Sequence, residues 1–509
     1  MSFLSEHLKV INRAIVIIVL LLAAFVRFYH YDAWSLSNDE LSAIIRLQFD
    51  CFDDLIQFGV KPDFHPSGVQ VFLFYYAKLF GDSATAVRIP FVISGILSVV
   101  LLFFLARRWF GETSALFASS ALAFLEFPLL FSQIARPYSF GLMLILLAAI
   151  LVDRVVFNEK KNNLWFYTFL LAVTWALLMY NHYYSFLTAG FLGLGVLFYT
   201  PKNRIKYLVS SAVVAVILFI PHVNVTIYHL SKGGVESWLA KPDNDWLFLH
   251  ILYVFNNSLW LLFGVMAAVV CMVFKEKKKL SKYFVISLIV FFGALFTGFL
   301  YSKYVSAIIQ HSTMLFVLPF LLMVVFSRFR ESVVNTVLLI VFIGALLVSL
   351  FGVDNFYKKQ HFGEFKEVAE IIEHWNSNYN GKILNICSAN DVDYLNYYFV
   401  DDSADFAMSQ LDTKSQLDSL AEIVNASGKQ YLSFAITKPC SSKAIDIMAA
   451  RYPYKYFSKN YSGLAQVFIF GKECDGRKEF SAFADESGRE VSSFVLASEN
   501  KEVEDVFSL

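Results

Sequence analysis

The sequence predicts an α-helical membrane protein that crosses the bilayer many times and ends in a soluble α/β domain. Three observations predict it. Of 509 residues, 57% are hydrophobic and 17% are charged, against roughly 25% charged in an ordinary soluble domain. Apolar runs near or above the ~18 to 20 residues that cross a bilayer as a helix recur over the first 351 positions. The charge balance then reverses, from 26 Lys plus Arg against 18 Asp plus Glu in residues 1–351 to 16 against 24 in residues 352–509. A water-soluble core is excluded for the first part, and a domain boundary is expected at 351/352.

The apolar runs predict eleven spans, near residues 14–29, 88–106, 113–131, 137–156, 164–180, 185–200, 207–221, 247–273, 283–300, 308–327 and 333–351. Retained loops carry an excess of Lys and Arg. On this count the basic clusters fall on alternate loops, at Lys9 and Arg13, Arg107 and Arg108, Arg154 to Lys161, Lys202 to Lys206, Lys275 to Lys282, and Arg328 and Arg330. The N-terminus is therefore expected in the cytoplasm and residues after Phe351 on the outer face of a plasma or inner membrane. Residues 14–29 lack a small-residue cleavage site and read as a retained anchor.

Residues Pro66 to Phe80 are read as an interfacial helix instead of a span. Val69, Phe72, Leu73, Tyr76, Leu79 and Phe80 recur at helical spacing, while Gln70 and Lys78 interrupt the run. The first outer loop is then about residues 30–87.

In the tail, helices are expected at Glu364 to Trp375, Lys414 to Val424 and Ser442 to Arg451. Strands are expected at Ile383 to Cys387, Tyr431 to Ile436 and Ala465 to Phe470. The last stretch is polar enough to lack a packed core of its own. Five cysteines add little, although Cys440 and Cys474 would share the outer compartment and could pair there. No CxxC or His-rich ligand motif is present, so a metal is not indicated, although the sequence leaves a divalent ion open.

The chemistry concentrates on the outer loops. Asp39 and Glu40 follow the first span directly. A carboxylate near an apolar boundary becomes a better proton acceptor, and the same pair can equally begin a helix in solvent. Lys61-Pro62-Asp63-Phe64-His65-Pro66-Ser67-Gly68 holds His65 at the boundary, as a phosphate or metal ligand or as a polar helix start. Arg88 opens the second span, and Arg136 stands in Gln133-Ile134-Ala135-Arg136-Pro137-Tyr138. Arginine is a planar donor suited to phosphate oxygens, and snorkelling is the alternative. Weaker candidates are Asn181, His182, Tyr183, His222, His229, Lys303 and His311, and a loop with Trp238 and Trp246 that anchors or stacks on a sugar.

Taken in order, Asp39-Glu40, His65-Pro66, Phe80-Gly81 with Arg88-Ile89-Pro90, Arg107-Arg108-Trp109-Phe110-Gly111 and Ala135-Arg136-Pro137-Tyr138 resemble the GT-C glycosyltransferases. The branch is that of the protein O-mannosyltransferases and lipid A aminoarabinose transferases. The resemblance is strongest over residues 30–150 and absent in the tail. It departs where the family's His-Pro-Pro is His65-Pro66-Ser67 here, and where His311 stands in for a common arginine.

The resemblance implies a polyprenyl-phosphate sugar as donor, an acceptor hydroxyl on a glycan, lipid or protein, and direct displacement with inversion. Asp39 would be the general base with Glu40 beside it. Arg88, Arg136 and His65 would hold the donor phosphate, and Tyr138, His182, Lys303 and His311 would line the substrate. No cofactor and no nucleic acid is implied. A transporter of lipid-linked sugars is the alternative, and it requires ionisable residues along the spans.

Overall fold

The computed structural model describes residues 2–159, 162–232, 239–275, 280–399, 404–461 and 465–474, with short strands at Phe483–Ala484 and Glu490–Val491. Trp238, Lys160, Lys161, Lys277, Lys278, Lys279 and most of the polar C-terminal stretch lie outside the described residues. The chain divides into two compact units. One comprises Met1–Asp32 and Arg46–Lys359, the other Ala33–Ile45 and Gln360–Leu509.

In the first unit every expected span contains helix, but several are broken or short. Among the described residues, seven helices are long and apolar enough to cross a membrane, and eight if one bent pair counts as a single span. The seven are Val10–Phe28, Ala84–Phe110, Pro137–Phe157, Leu164–Asn181, Ile205–Ser231, Lys282–Tyr304 and Val333–Lys358. Four of the eleven expected spans are broken or short, each with a local cause.

The run at 113–131 divides into helices Glu112–Phe124 and Glu126–Leu130, with Leu125 extended between them. Pro128 requires this, because a proline ring collides with the carbonyl four residues earlier, here that of Phe124. At 308–327 a 3-10 turn Ser312–Phe316 precedes helix Leu318–Phe326, with Pro319 in its first turn. At 247–273 the helices Trp246–Val254 and Leu259–Phe274 meet at 86°. Asn256 and Asn257 sit at the bend with φ of 57° and 52°, a left-handed conformation that asparagine tolerates better than most residues. Helix Tyr183–Leu197 has 15 residues, about 22 Å at the ~1.5 Å rise per residue, short of a ~30 Å hydrocarbon core. The expected interfacial segment is helix Gly68–Phe80, which buries Val69, Leu73 and Phe74.

Helix Ala84–Phe110 packs against Glu112–Phe124 and Pro137–Val152, Leu164–Asn181 against Ile205–Phe219, and Tyr183–Leu197 against Lys282–Tyr304. At the C-terminal end of helix Ala84–Phe110, Arg108 and the indole of Trp109 donate to the two carboxylate oxygens of Asp153 at 3.2 and 3.1 Å, tying two helices together.

The second unit carries a mixed five-stranded sheet in the order β2-β1-β3-β5-β4. Here β1 is Ile383–Ser388, β2 Phe406–Met408, β3 Tyr431–Ile436, β4 Tyr454–Asn460 and β5 Gln466–Gly471. β1 runs parallel to β2 and β3, and β5 antiparallel to β3 and β4. Helices Phe365–Asn378, Lys414–Ala426 and Lys443–Arg451 complete it, around a core with Ile386, Leu420, Phe434 and Met448.

The unread strands are the two edges. β2 has only three residues, and β4, Tyr-Lys-Tyr-Phe-Ser-Lys-Asn, carries the lysines with which sheets protect an edge. Cys440 and Cys474 are both free thiols. They follow β3 and β5, whose antiparallel register pairs Tyr431 with Gly471 and Ile436 with Gln466. The two cysteines therefore leave opposite ends of the pair, roughly 20 Å apart at ~3.4 Å per residue.

The second difference from the sequence reading is that residues 33–45 belong with the tail. Helix Asn38–Ile45 buries Leu41, Ala43 and Ile44. The Leu36 N–H donates to the Tyr398 hydroxyl at 2.6 Å and the Lys366 N–H to Ser35 Oγ at 3.1 Å. Trp34 meets His361 edge-on at 5.7 Å.

Candidate functional site

Arg136 is the N-cap of helix Pro137–Val152, held extended (φ −132°, ψ 165°) because Pro137 follows it. Its side chain is 5% exposed, and its Nη2 lies 3.9 Å from Asp63 Oδ2. The other oxygen of Asp63 pairs with Arg46. His65 Nδ1 lies 3.0 Å from the Asp63 carbonyl and 3.3 Å from Asp63 Oδ2. Both partners are acceptors, so that nitrogen carries the proton and donates. Arg136 Nη2, 3.3 Å from the same nitrogen, is then a neighbouring donor and not its hydrogen-bond partner.

Burial alone would raise the Asp63 carboxyl, but the charge of Arg136, then His65 and Arg46, outweighs it and holds the group well below the usual carboxylate range. Two guanidinium groups face one carboxylate here. The cluster keeps an excess of positive charge at a helix N-terminus, an arrangement that favours anions.

His182 completes the cluster. Its ring lies 5.2 Å from that of His65 and 6.4 Å from that of Tyr138. Burial, then the charges of His65 and Arg136, pushes its pKa well below the ordinary histidine value. The neutral ring has a structural task, since its Nδ1 accepts the Tyr184 N–H at 2.9 Å and caps helix Tyr183–Leu197. A group whose folded pKa is depressed contributes stability above its unfolded value, ~6.5 for histidine, and loses it as pH falls. Thermal stability is therefore expected to fall between pH 7 and 5, and His182→Asn, which retains a capping oxygen, to flatten that dependence. A profile unchanged by the substitution would remove His182 as its source.

Close backbone contacts set these positions. A Cβ at Gly68 would stand 2.6 Å from the Tyr180 carbonyl oxygen, and one at Gly141 2.3 Å from Phe316 and 2.6 Å from the Asn181 amide nitrogen. The Ser67 N–H donates to His222 Nε2 at 3.0 Å. His229 Nε2 donates to the Lys61 carbonyl at 3.0 Å and its Nδ1 accepts from the Tyr183 hydroxyl at 2.8 Å. His222 and His229 thus hold the loop that carries Asp63 and His65.

In the second unit, Asp39 is exposed on the first turn of helix Asn38–Ile45, whereas Glu40 is buried. Glu40 Oε2 accepts the Ser37 N–H at 2.9 Å and the Glu40 N–H donates to Ser37 Oγ at 3.2 Å. This is a reciprocal capping box, and it gives Glu40 a structural task beside its neighbour. Glu40→Gln preserves that geometry and is expected to leave activity within a few-fold, while Glu40→Ala costs about 1 kcal/mol in unfolding measurements. A Gln variant as inactive as the Ala one would restore Glu40 to the chemistry.

The remaining candidates make contacts of their own. Arg88 is fully buried, and its Nη1 donates to the Tyr31 carbonyl at 3.1 Å. Lys303 donates to Asn244. His311 Nδ1 lies 3.0 Å from His250 Nδ1, and its ring stacks with Trp246 at 5.2 Å and Tyr253 at 4.6 Å. Asp63, Arg46 and His250 escaped the sequence reading. Only Asp63 carried a signal, two residues before His65. Among the described residues no group of three or more His, Cys, Asp or Glu could hold a metal ion.

Residues 64–224 match the family model described as dolichyl-phosphate-mannose-protein mannosyltransferase. That segment contains His65, Arg88, Arg136, Tyr138 and His182. ArnT from Cupriavidus metallidurans in the apo state superposes with a TM-score of 0.55 at 11% identity, covering 89% of this chain and 97% of that one. ArnT bound to undecaprenyl phosphate gives 0.57 at 11%, covering 90% and 98%. At this identity the likeness is one of fold. No curated protein matches the chain.

Proposed function

We propose that the chain is a glycosyltransferase of the GT-C superfamily, of the O-mannosyltransferase and ArnT type, and that it moves a sugar from a polyprenyl phosphate to an acceptor hydroxyl on the outer face of the membrane. The observation that carries the donor class is the buried Arg136 at a helix N-terminus, with Arg46 and His65 around a single carboxylate. Such a cluster offers a phosphate charge-assisted hydrogen bonds from a planar guanidinium.

In this reading Asp39 takes the proton of the acceptor hydroxyl, whose oxygen attacks the anomeric carbon opposite the phosphate. The glycosidic carbon–oxygen bond breaks with inversion, and polyprenyl phosphate leaves with its electron pair. Arg136 and His65 stabilise the growing charge, and Arg88 contributes through the end of the second span. Tyr138 and His182 line the sugar. Lys303 and His311 are assigned to the acceptor side.

Right-side-out vesicles given an outside supply of a labelled polyprenyl-phosphate sugar test the reaction. The expected result is release of polyprenyl phosphate together with a product of inverted anomeric configuration. Passage of intact donor across the bilayer with no bond broken would overturn it in favour of transport, a reading that gains no support from the family match.

A further inference from the structure

Within the second unit, a cavity of about 420 Å³ opens between the C-terminal end of helix Phe365–Asn378 and the β1–β2 edge of the sheet. Its wall includes Glu373 and Asn376 from the helix, Asn385 from β1, Asp405 before β2 and Lys429 before β3. The size falls in the ~300 to 1,000 Å³ range of small-molecule sites. We propose that this cavity is a saccharide-binding site, distinct from the charged cluster of the membrane unit, and that it takes a neutral or amino sugar.

The donor and acceptor chemistry of the wall carries the proposal. Asn376 Nδ2 is buried with no hydrogen-bond partner among the described residues, and a buried amide donor of this kind is costly unless a ligand or water meets it. Asn385 is 5% exposed and is fixed by the Ser433 hydroxyl, which donates to its Oδ1 at 2.6 Å. Amide donors thus stand beside the carboxylate acceptors of Glu373 and Asp405. A sugar hydroxyl both donates and accepts, and it needs such mixed partners.

Charge narrows the class further. The wall carries two carboxylates and one ammonium, and Lys429 Nζ already donates to the Gly381 carbonyl at 2.5 Å. A phosphorylated or carboxylated ligand would be repelled. An apolar ligand would strand the amides and carboxylates without partners.

The test is saturation-transfer NMR on the full-length protein in nanodiscs, with glucose, mannose and glucosamine as probes and glucose 6-phosphate as the anionic counter-probe. At least one of the first three is expected to receive saturation, and glucose 6-phosphate to receive at least threefold less. Asn376→Leu should abolish the transfer. Ser377→Arg, at an exposed position on the same wall, should block the cavity without touching the core and give the same loss even if Asn376→Leu folds poorly. Ser377→Arg should leave sugar transfer within threefold of the parent while the saturation signal is lost, which separates this site from the transfer reaction. The proposal is overturned if none of the probes receives saturation, if Ser377→Arg leaves every signal unchanged, or if glucose 6-phosphate binds as well as glucose.

Discussion

Asp39→Asn is expected to stop sugar transfer in membranes, lowering turnover by about 10² to 10⁴-fold, the contribution of a positioned proton acceptor. The amide is nearly isosteric and cannot take a proton from a hydroxyl at neutral pH. The side chain is exposed on the first turn of helix Asn38–Ile45, and that helix keeps its capping box through Ser37 and Glu40. Folding and membrane insertion should therefore be unchanged, as should the affinity for polyprenyl phosphate. Turnover within threefold of the parent would sink the assignment of Asp39 as the base. A loss of protein from the membrane would show instead that the position supports the fold.

Arg136→Ala should produce two losses that can be told apart. Affinity for polyprenyl phosphate should drop by at least tenfold, since the substitution removes a guanidinium that is 5% exposed at the N-terminus of helix Pro137–Val152. Stability should fall as well, because breaking a buried ion pair costs about 3 to 5 kcal/mol when the remaining charge has no other partner. Asp63 keeps Arg46 and His65, so the cost should lie at or below the lower end.

A second change separates the effects. With Asp63→Asn added to Arg136→Ala, the carboxylate left short of positive charge is gone, and thermal stability should recover towards the parent while phosphate affinity does not. Titration of the double variant with polyprenyl phosphate decides the matter. Parental affinity would remove Arg136 from the donor site.

Much of this architecture is legible in the residues. Apolar runs of sufficient length identify helices in lipid, because a helix is the one form in which a single segment satisfies its own backbone there. Each of those expected contains helix. Where those helices break, at Pro128, Pro319 and the Asn256–Asn257 bend, the cause is a backbone rule acting against hydrophobicity. In the tail, the central strands β1, β3 and β5 are readable because their side chains are buried and apolar. The edges β2 and β4 are not, since an exposed strand has no such pattern to keep.

The candidate site divides in the same way. His65, Arg136 and Tyr138 could be singled out because a charged or polar residue at the end of an apolar run is costly and therefore informative. His182 could be named but not explained, since its capping of helix Tyr183–Leu197 depends on geometry two residues away. Asp63 and Arg46 needed the fold. Arg46 is 17 residues from Asp63, and no local pattern announces that the two form an ion pair.

By itself the sequence determined that the protein lives in a membrane, that a separate acidic α/β tail follows the spans, and which loop residues carry charge at the ends of apolar runs. These follow from local quantities, namely hydropathy, net charge and the period of the apolar pattern. Only the tertiary structure decided that residues 33–45 belong with the tail, that Glu40 closes a capping box, and that Arg136, Asp63, Arg46, His65 and His182 form one cluster. Each of those depends on a pairing across the chain, and the energy of a pair depends on where the backbone brings two groups, which neither group's own neighbours in sequence specify.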